Sequence, residues 1–140
     1  MSVEENKALS RRTFEEVWNQ GKLNVADELF AGNYVDHNPP PGSPGGLAGF
    51  KGTVTMLRAA FPDLVLTLDQ ALAEGDRVAI RQTIRGTHKG PFMGVAATGK
   101  QVSFGGMVFV RIENGKVVER WGIIDVPGLM GQLTAGSGGH

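Results

Sequence analysis

Apolar residues recur at helical spacing through the first sixty positions and at alternate positions after Pro62, so the chain passes from helices to strands. Ser2 followed by Glu5 forms a capping-box signature, and Phe14, Val17 and Trp18 continue a helical stripe. The first helix is therefore expected over about residues 3 to 20, ending near Gly21. Asn24 can cap a short second helix whose apolar face is Ala26, Leu29 and Phe30. An extended stretch from Asn33 to Asn38 leads into the Pro/Gly-rich loop 39–46. Phe50, Val54, Leu57 and Phe61 then mark a third helix over about 47 to 60, which Pro62 terminates.

Residues 63–69 and 77–85 alternate in polarity around Glu74-Gly75-Asp76 and predict a hairpin. A three-residue loop sets Leu72 against Val78, Leu68 against Gln82 and Leu66 against Ile84, which aligns the apolar sets. A second hairpin joins residues 102–112 to 117–126 through Asn114-Gly115, two residues that tolerate positive φ. Pairing Glu113 with Lys116 and running the ladder without interruption places Val108 opposite Trp121, Gly106 opposite Ile123 and Phe104 opposite Asp125. Gly105 and Gly106 suit a bend or bulge within the strand. Helices followed by long hairpins predict an α+β fold, with helices layered on one face of a curved sheet.

The 140 residues suit one domain over 1–134, with the Gly-rich segment 135–140 as a flexible tail. Fourteen basic residues balance fourteen acidic ones, which argues against nucleic acid or a membrane surface as partner. No apolar run approaches the ~18 residues of a membrane span, and the acidic start lacks a secretory pattern, so a cytoplasmic location is expected. The absence of cysteine removes thiolate nucleophiles and Cys-based zinc sites. Chemistry falls to carboxylates, hydroxyls and three histidines.

On the uninterrupted register Asp125 ends an otherwise apolar strand face. A carboxylate so placed needs a partner or a raised pKa, and either poises it for proton transfer. The competing reading is that Asp125 caps a turn ahead of Pro127 in solvent. His37 borders the Pro/Gly loop and is the second catalytic candidate, although an extended Asp36-His37 pair points to opposite faces and makes a poor metal pair. Strand parity turns Gln82 and His88 inward and Arg81 and Arg85 outward. Gln82, His88, Phe104 and the indoles of Trp18 and Trp121 are the substrate-binding candidates, an indole N–H being able to hold a carbonyl. No phosphate loop, dinucleotide fingerprint, zinc-protease motif or serine elbow is present, and the histidines lack ligand spacing. A mechanism with neither metal nor cofactor is the simplest expectation.

Taken together, Tyr-Val-Asp-His-Asn-Pro at 34–39, Gly75-Asp-Arg-Val-Ala-Ile-Arg81, Gly86-Thr-His-Lys-Gly-Pro-Phe92, Thr98-Gly-Lys and Glu113-Asn-Gly-Lys-Val-Val-Glu-Arg-Trp121 followed by Asp125 resemble the SnoaL-like polyketide cyclase family of the nuclear transport factor 2-like superfamily. The resemblance runs over about residues 3 to 133. It implies a cone-shaped barrel of three N-terminal helices packed on a curved antiparallel sheet, an apolar pocket, and a homodimer formed through the sheet. It also implies cofactor-independent acid/base chemistry on a small apolar carbonyl compound, either aldol cyclisation or isomerisation, with Asp125 at the position of the acid/base. Hydrolysis of an epoxide or ester, with Asp125 activating water, and a non-catalytic ligand-binding or dimerisation module are the alternatives.

Overall fold

The structure, a computed structural model, describes residues 2–40 and 42–134; the expected tail 135–140 lies outside the described residues. Helix α1 (Val3–Arg12) begins with the complete capping box, Ser2 Oγ accepting from Glu5 N–H and Glu5 Oε1 from Ser2 N–H. The single helix predicted to residue 20 is instead interrupted. Residues Thr13–Trp18 form a π-helical turn, marked by the Asn19 N–H to Phe14 carbonyl bond of 3.0 Å. This turn buries Thr13, Phe14, Val17 and Trp18 together. Gly21, at φ +70°, ends it where the glycine stop is predicted.

Helix α2 (Leu23–Leu29) lacks the expected Asn24 cap, because Lys22 occupies the cap position and gives no side-chain bond. Strand β1 (Phe30–Asp36) follows, then helix α3 (Gly46–Ala60), β2 (Val65–Glu74), β3 (Arg77–Thr87), β4 (Gln101–Glu113), β5 (Lys116–Ile124) and α4 (Val126–Thr134). The sheet order is β1-β5-β4-β3-β2, antiparallel except that β1 lies parallel to β5 at the edge. The expected run of three N-terminal helices is thus modified: α1, the π-helical turn and α2 come first, and β1, an edge strand of the sheet, separates them from α3. Helix α4 departs from the sequence expectation, because Pro127, Gly128 and Gly131 weaken its sequence signature.

Two bulges determine which way the strands face. In the β2/β3 hairpin, Leu66 pairs with Ile84 and Leu68 with Gln82 as predicted, yet Ala73 pairs with Val78 and Leu72 with Ala79. The turn is the two-residue Gly75-Asp76, and an unpaired Asp69 restores the apolar register further out. Leu72 consequently faces outward, 63% exposed, instead of opposing Val78.

In the β4/β5 hairpin, Ile112 pairs with Val117 but Arg111 pairs with Glu119, so Val118 is the extra residue. Beyond it the ladder sets Val110 against Arg120, Phe109 against Trp121, Val108 against Gly122 and Gly106 against Ile124. A one-residue shift inverts the faces of a strand. The predicted pairs Val108–Trp121, Gly106–Ile123 and Phe104–Asp125 are all displaced for this reason, and Phe104 pairs with Ile84.

The core lies between the helices and the inner face of the sheet. It includes Val17, Val54, Leu57 and Phe61 from the helical layer, Val78, Ile80 and Ile84 from β3, and Phe104, Val110 and Ile112 from β4. Leu129 and Leu133 bring α4 into the same core at 0% and 1% exposure. Asn19 ties the π-helical turn to the edge strand through a pair of bonds, Nδ2 to Leu66 O at 3.0 Å and Leu66 N–H to Oδ1 at 2.7 Å.

Candidate active site

The candidate residues separate into three places. Gln82, His88, Phe104 and Trp18 lie in the interior, all but fully buried, as the parity of β3 predicts for Gln82 and His88. His37 and Trp121 lie together on the outer face. Asp125 lies at the end of β5, exposed.

Asp125 follows the bulge. The inverted parity of β5 removes it from the inner face, its N–H pairs with the Gly105 carbonyl at 2.9 Å, and its Oδ1 accepts from Gly128 N–H at 2.9 Å. This is an N-cap of α4, the arrangement in which a short side chain satisfies an otherwise orphaned backbone donor. The placement of Asp125 on an apolar inner face opposite Phe104 is therefore corrected.

The outer pair forms a different surface. The His37 ring stacks on Trp121 at 4.6 Å and 7°, and its Nε2 lies 2.8 Å from Glu119 Oε2. Arg111 Nε holds the other oxygen of Glu119 at 2.5 Å. These two partners keep the Glu119 carboxyl below its ordinary range, His37 being the larger cause. Trp121 also meets Phe109 edge-on, with the Arg77 guanidinium 5.9 Å from both rings. A groove of about 410 Å³ opens beside them, with Leu72, Met107, Phe109 and Ile123 exposed along it.

The inner face carries a polar group that sequence parity did not reveal. Arg120 and Gly122 point inward because their partners Val110 and Val108 do. Arg120 Nη1 sits 3.2 Å from both oxygens of Asp36, with the two side chains 19% and 10% exposed. Gly122 makes room for this, since a Cβ there would meet Arg120 Nη2 at 2.5 Å. Gly106 does the same for Gln82, whose Nε2 lies 2.9 Å from where a Cβ would stand. Two glycines thus bare the sheet beneath two side chains rich in hydrogen-bond donors.

Tyr34 completes the group. It is 3% exposed, packs edge-on against Phe30 at 4.9 Å and Phe50 at 6.4 Å, and its hydroxyl has no hydrogen-bond partner among the described residues. Burial pushes its pKa well up, Asp36 adds to the rise, and Arg120 partly opposes it. The phenol therefore stays protonated and offers a donor in the interior. Tyr34 and Asp36 share one face of an extended strand, a relation visible in the sequence, and His37 takes the other face as predicted. Arg120 was not visible, because nothing local marks Val118 as a bulge.

Among the described residues, no group of three or more histidine, aspartate or glutamate side chains is placed to hold a metal ion. Nor is any helix long and apolar enough to cross a membrane.

The family model described as SnoaL-like polyketide cyclase matches residues 8–133. Among solved structures, TsrD from Streptomyces laurentii superposes with a TM-score of 0.87 at 28% identity, covering 96% of this chain and 98% of its own. IdmH from Streptomyces antibioticus, a candidate polyketide cyclase, gives 0.83 at 33% identity over 93% of this chain and 99% of its own. AclR from Streptomyces galilaeus, a candidate hydroxylase, gives 0.82 at 34% identity over 94% and 82%. No curated protein matches.

Proposed function

The chain belongs to the SnoaL-like polyketide cyclase family, and from that premise we propose that it is a cofactor-independent acid/base enzyme acting on a small apolar carbonyl compound bound against the inner face of the sheet. The observation that carries this reading is the un-ionised, unpartnered Tyr34 hydroxyl in the same interior group as the Asp36–Arg120 pair.

In this mechanism Tyr34 O–H donates to the substrate carbonyl oxygen. An Asp36 oxygen takes a proton from the adjacent carbon, and the C–H electron pair becomes the C=C bond of an enolate whose negative oxygen Tyr34 stabilises. In a cyclisation the enolate carbon then bonds to a second carbonyl carbon of the same molecule, and Asp36 returns its proton to the new alkoxide. In an isomerisation the proton returns to a different carbon. Arg120 orients the carboxylate through both oxygens, and the Gln82 amide serves as a further donor on the same face. Trp18 and Phe104 supply apolar wall.

Asp125, matched to the family's acid/base position, is the second candidate for the proton acceptor. Its exposure and its commitment to the first turn of α4 favour Asp36. The test is exchange of the methyl protons of 4-acetylbiphenyl for deuterium in D₂O. The enzyme should accelerate it, and Asp36→Asn should reduce that acceleration by roughly a hundredfold or more, the range for loss of a general base.

We also infer that the outer groove is covered by a second copy of the chain. Its exposed Leu72, Met107, Phe109 and Ile123 form an apolar sheet face of the kind that marks protein contacts. His37 and Trp121, stacked at its edge, then belong to the interface and not to the site of chemistry.

A further inference from the structure

His88 is fully buried, at 0% exposure, and its two ring nitrogens are in different situations. Nδ1 accepts from the Thr98 backbone N–H at 3.2 Å and stands 3.0 Å from Thr98 Oγ1. A nitrogen that accepts from a backbone N–H has its lone pair free, so in the neutral ring the proton resides on Nε2. Nε2 is itself buried and has no partner among the described residues. A buried donor left unpaired costs about 1–3 kcal/mol, and folded proteins pair nearly all such groups.

The connection between β3 and β4 maintains this tautomer. Thr98 Oγ1 accepts from Lys100 N–H, His88 N–H donates to the Lys100 carbonyl at 2.8 Å, and Gly99 N–H returns to the His88 carbonyl at 2.8 Å. The segment closes around the ring from both chain directions. Around it the surroundings are aromatic, with Phe61 5.6 Å from the His88 ring, 5.7 Å from Phe92 and 6.4 Å from Phe104. Phe61 follows the end of α3, whereas Phe50, against which Tyr34 packs, lies near its start. Eleven residues of helix separate them, on the order of 16 Å.

We infer that His88 Nε2–H anchors the remote end of the substrate. The substrate class is then an elongated, largely apolar aromatic ketone with a second oxygen acceptor at the end away from the reacting carbonyl. This rests on the interior being the substrate site, and it assigns Thr98 the part of a positioning residue that fixes the ring tautomer.

The test uses 4-acetyl-4′-methoxybiphenyl and 4-acetyl-4′-ethylbiphenyl, which share length and ketone but differ in the remote oxygen. On titration into the ¹⁵N-labelled full chain, the methoxy compound should shift the His88 Nε2 resonance and bind roughly fivefold to tenfold more tightly than its ethyl analogue, the worth of one hydrogen bond. His88→Phe should erase that preference and His88→Gln should keep part of it. Should His88→Phe fail to fold, the resonance in the parent decides. Equal effects of the two compounds on that resonance would overturn the inference, leaving a buried water or a contact with the Phe61 ring as partner of Nε2. Asp36→Asn should leave the shift intact, so a failed catalytic assignment and a failed anchor are read separately.

Discussion

Arg120 Nη1 holds both carboxylate oxygens of Asp36 at 3.2 Å, across the parallel edge pair β1/β5, in a space that Gly122 leaves open. Two consequences can be measured at this pair. Arg120→Met removes one partner from a largely buried pair and leaves the other uncompensated, at a cost of about 3 kcal/mol of stability by chemical denaturation. Gly122→Ala pushes the guanidinium off its seat and should lower the exchange activity at a smaller cost in stability than Arg120→Met, because only the far end of a flexible side chain must move and the cation itself is kept.

Tyr34 is the single tyrosine of the chain, so its ionisation can be followed by absorbance without interference. Its raised pKa predicts that the phenolate signal stays absent well past pH 10 in the folded protein and rises together with unfolding. The sign follows from the charged form being disfavoured in the fold. Stability from this group is complete below the unfolded value near 10 and declines as pH rises above it. A phenolate appearing near pH 10 in folded protein would show that the hydroxyl is not in the desolvated site described.

Asp63 titrates below its ordinary range, because Thr87 gives it a side-chain bond and a backbone bond, both 2.7 Å. Its contribution is present above the unfolded carboxylate value and is lost as pH falls through the lowered one. Thr87→Val should move the Asp63 titration, followed by carboxyl NMR, back toward 3.8, and should flatten the acid limb of the stability profile.

The bulge at Val118 predicts a side-chain Overhauser contact between Phe109 and Trp121, whose rings are 5.7 Å apart. An uninterrupted ladder would set Trp121 against Val108 instead. Met107→Glu, on the outer face, should give a monomer in sedimentation if a second copy covers the groove, with the fold unchanged because Met107 is already 66% exposed.

The helical layer, the two hairpins and the inward direction of Gln82 and His88 follow from periodicity and turn chemistry alone. Those signals are local, and each reads a face over a few residues. What periodicity misses is a single extra residue in a strand. Val118 inverts the part of β5 that contains every residue of interest, bringing Arg120 and Gly122 inside and sending Trp121 and Ile123 out, while Asp125 becomes a cap. Asp69 does the same on a smaller scale to Leu72. Bulges are set by how the sheet must curve around its core, a tertiary requirement with no fixed sequence signature. The π-helical turn at Thr13–Trp18 is a similar case, since an extra residue in a helical turn leaves the apolar spacing of Phe14, Val17 and Trp18 readable as ordinary helix.

The most direct test of the central claim compares two carboxylates in one assay, deuterium exchange into 4-acetylbiphenyl by the parent, Asp36→Asn and Asp125→Asn at equal folded concentration. Asp36→Asn should lose roughly a hundredfold or more, and Asp125→Asn, whose amide oxygen can still cap α4, should keep rates within about twofold of the parent. The opposite result, exchange retained in Asp36→Asn and lost in Asp125→Asn, would contradict it.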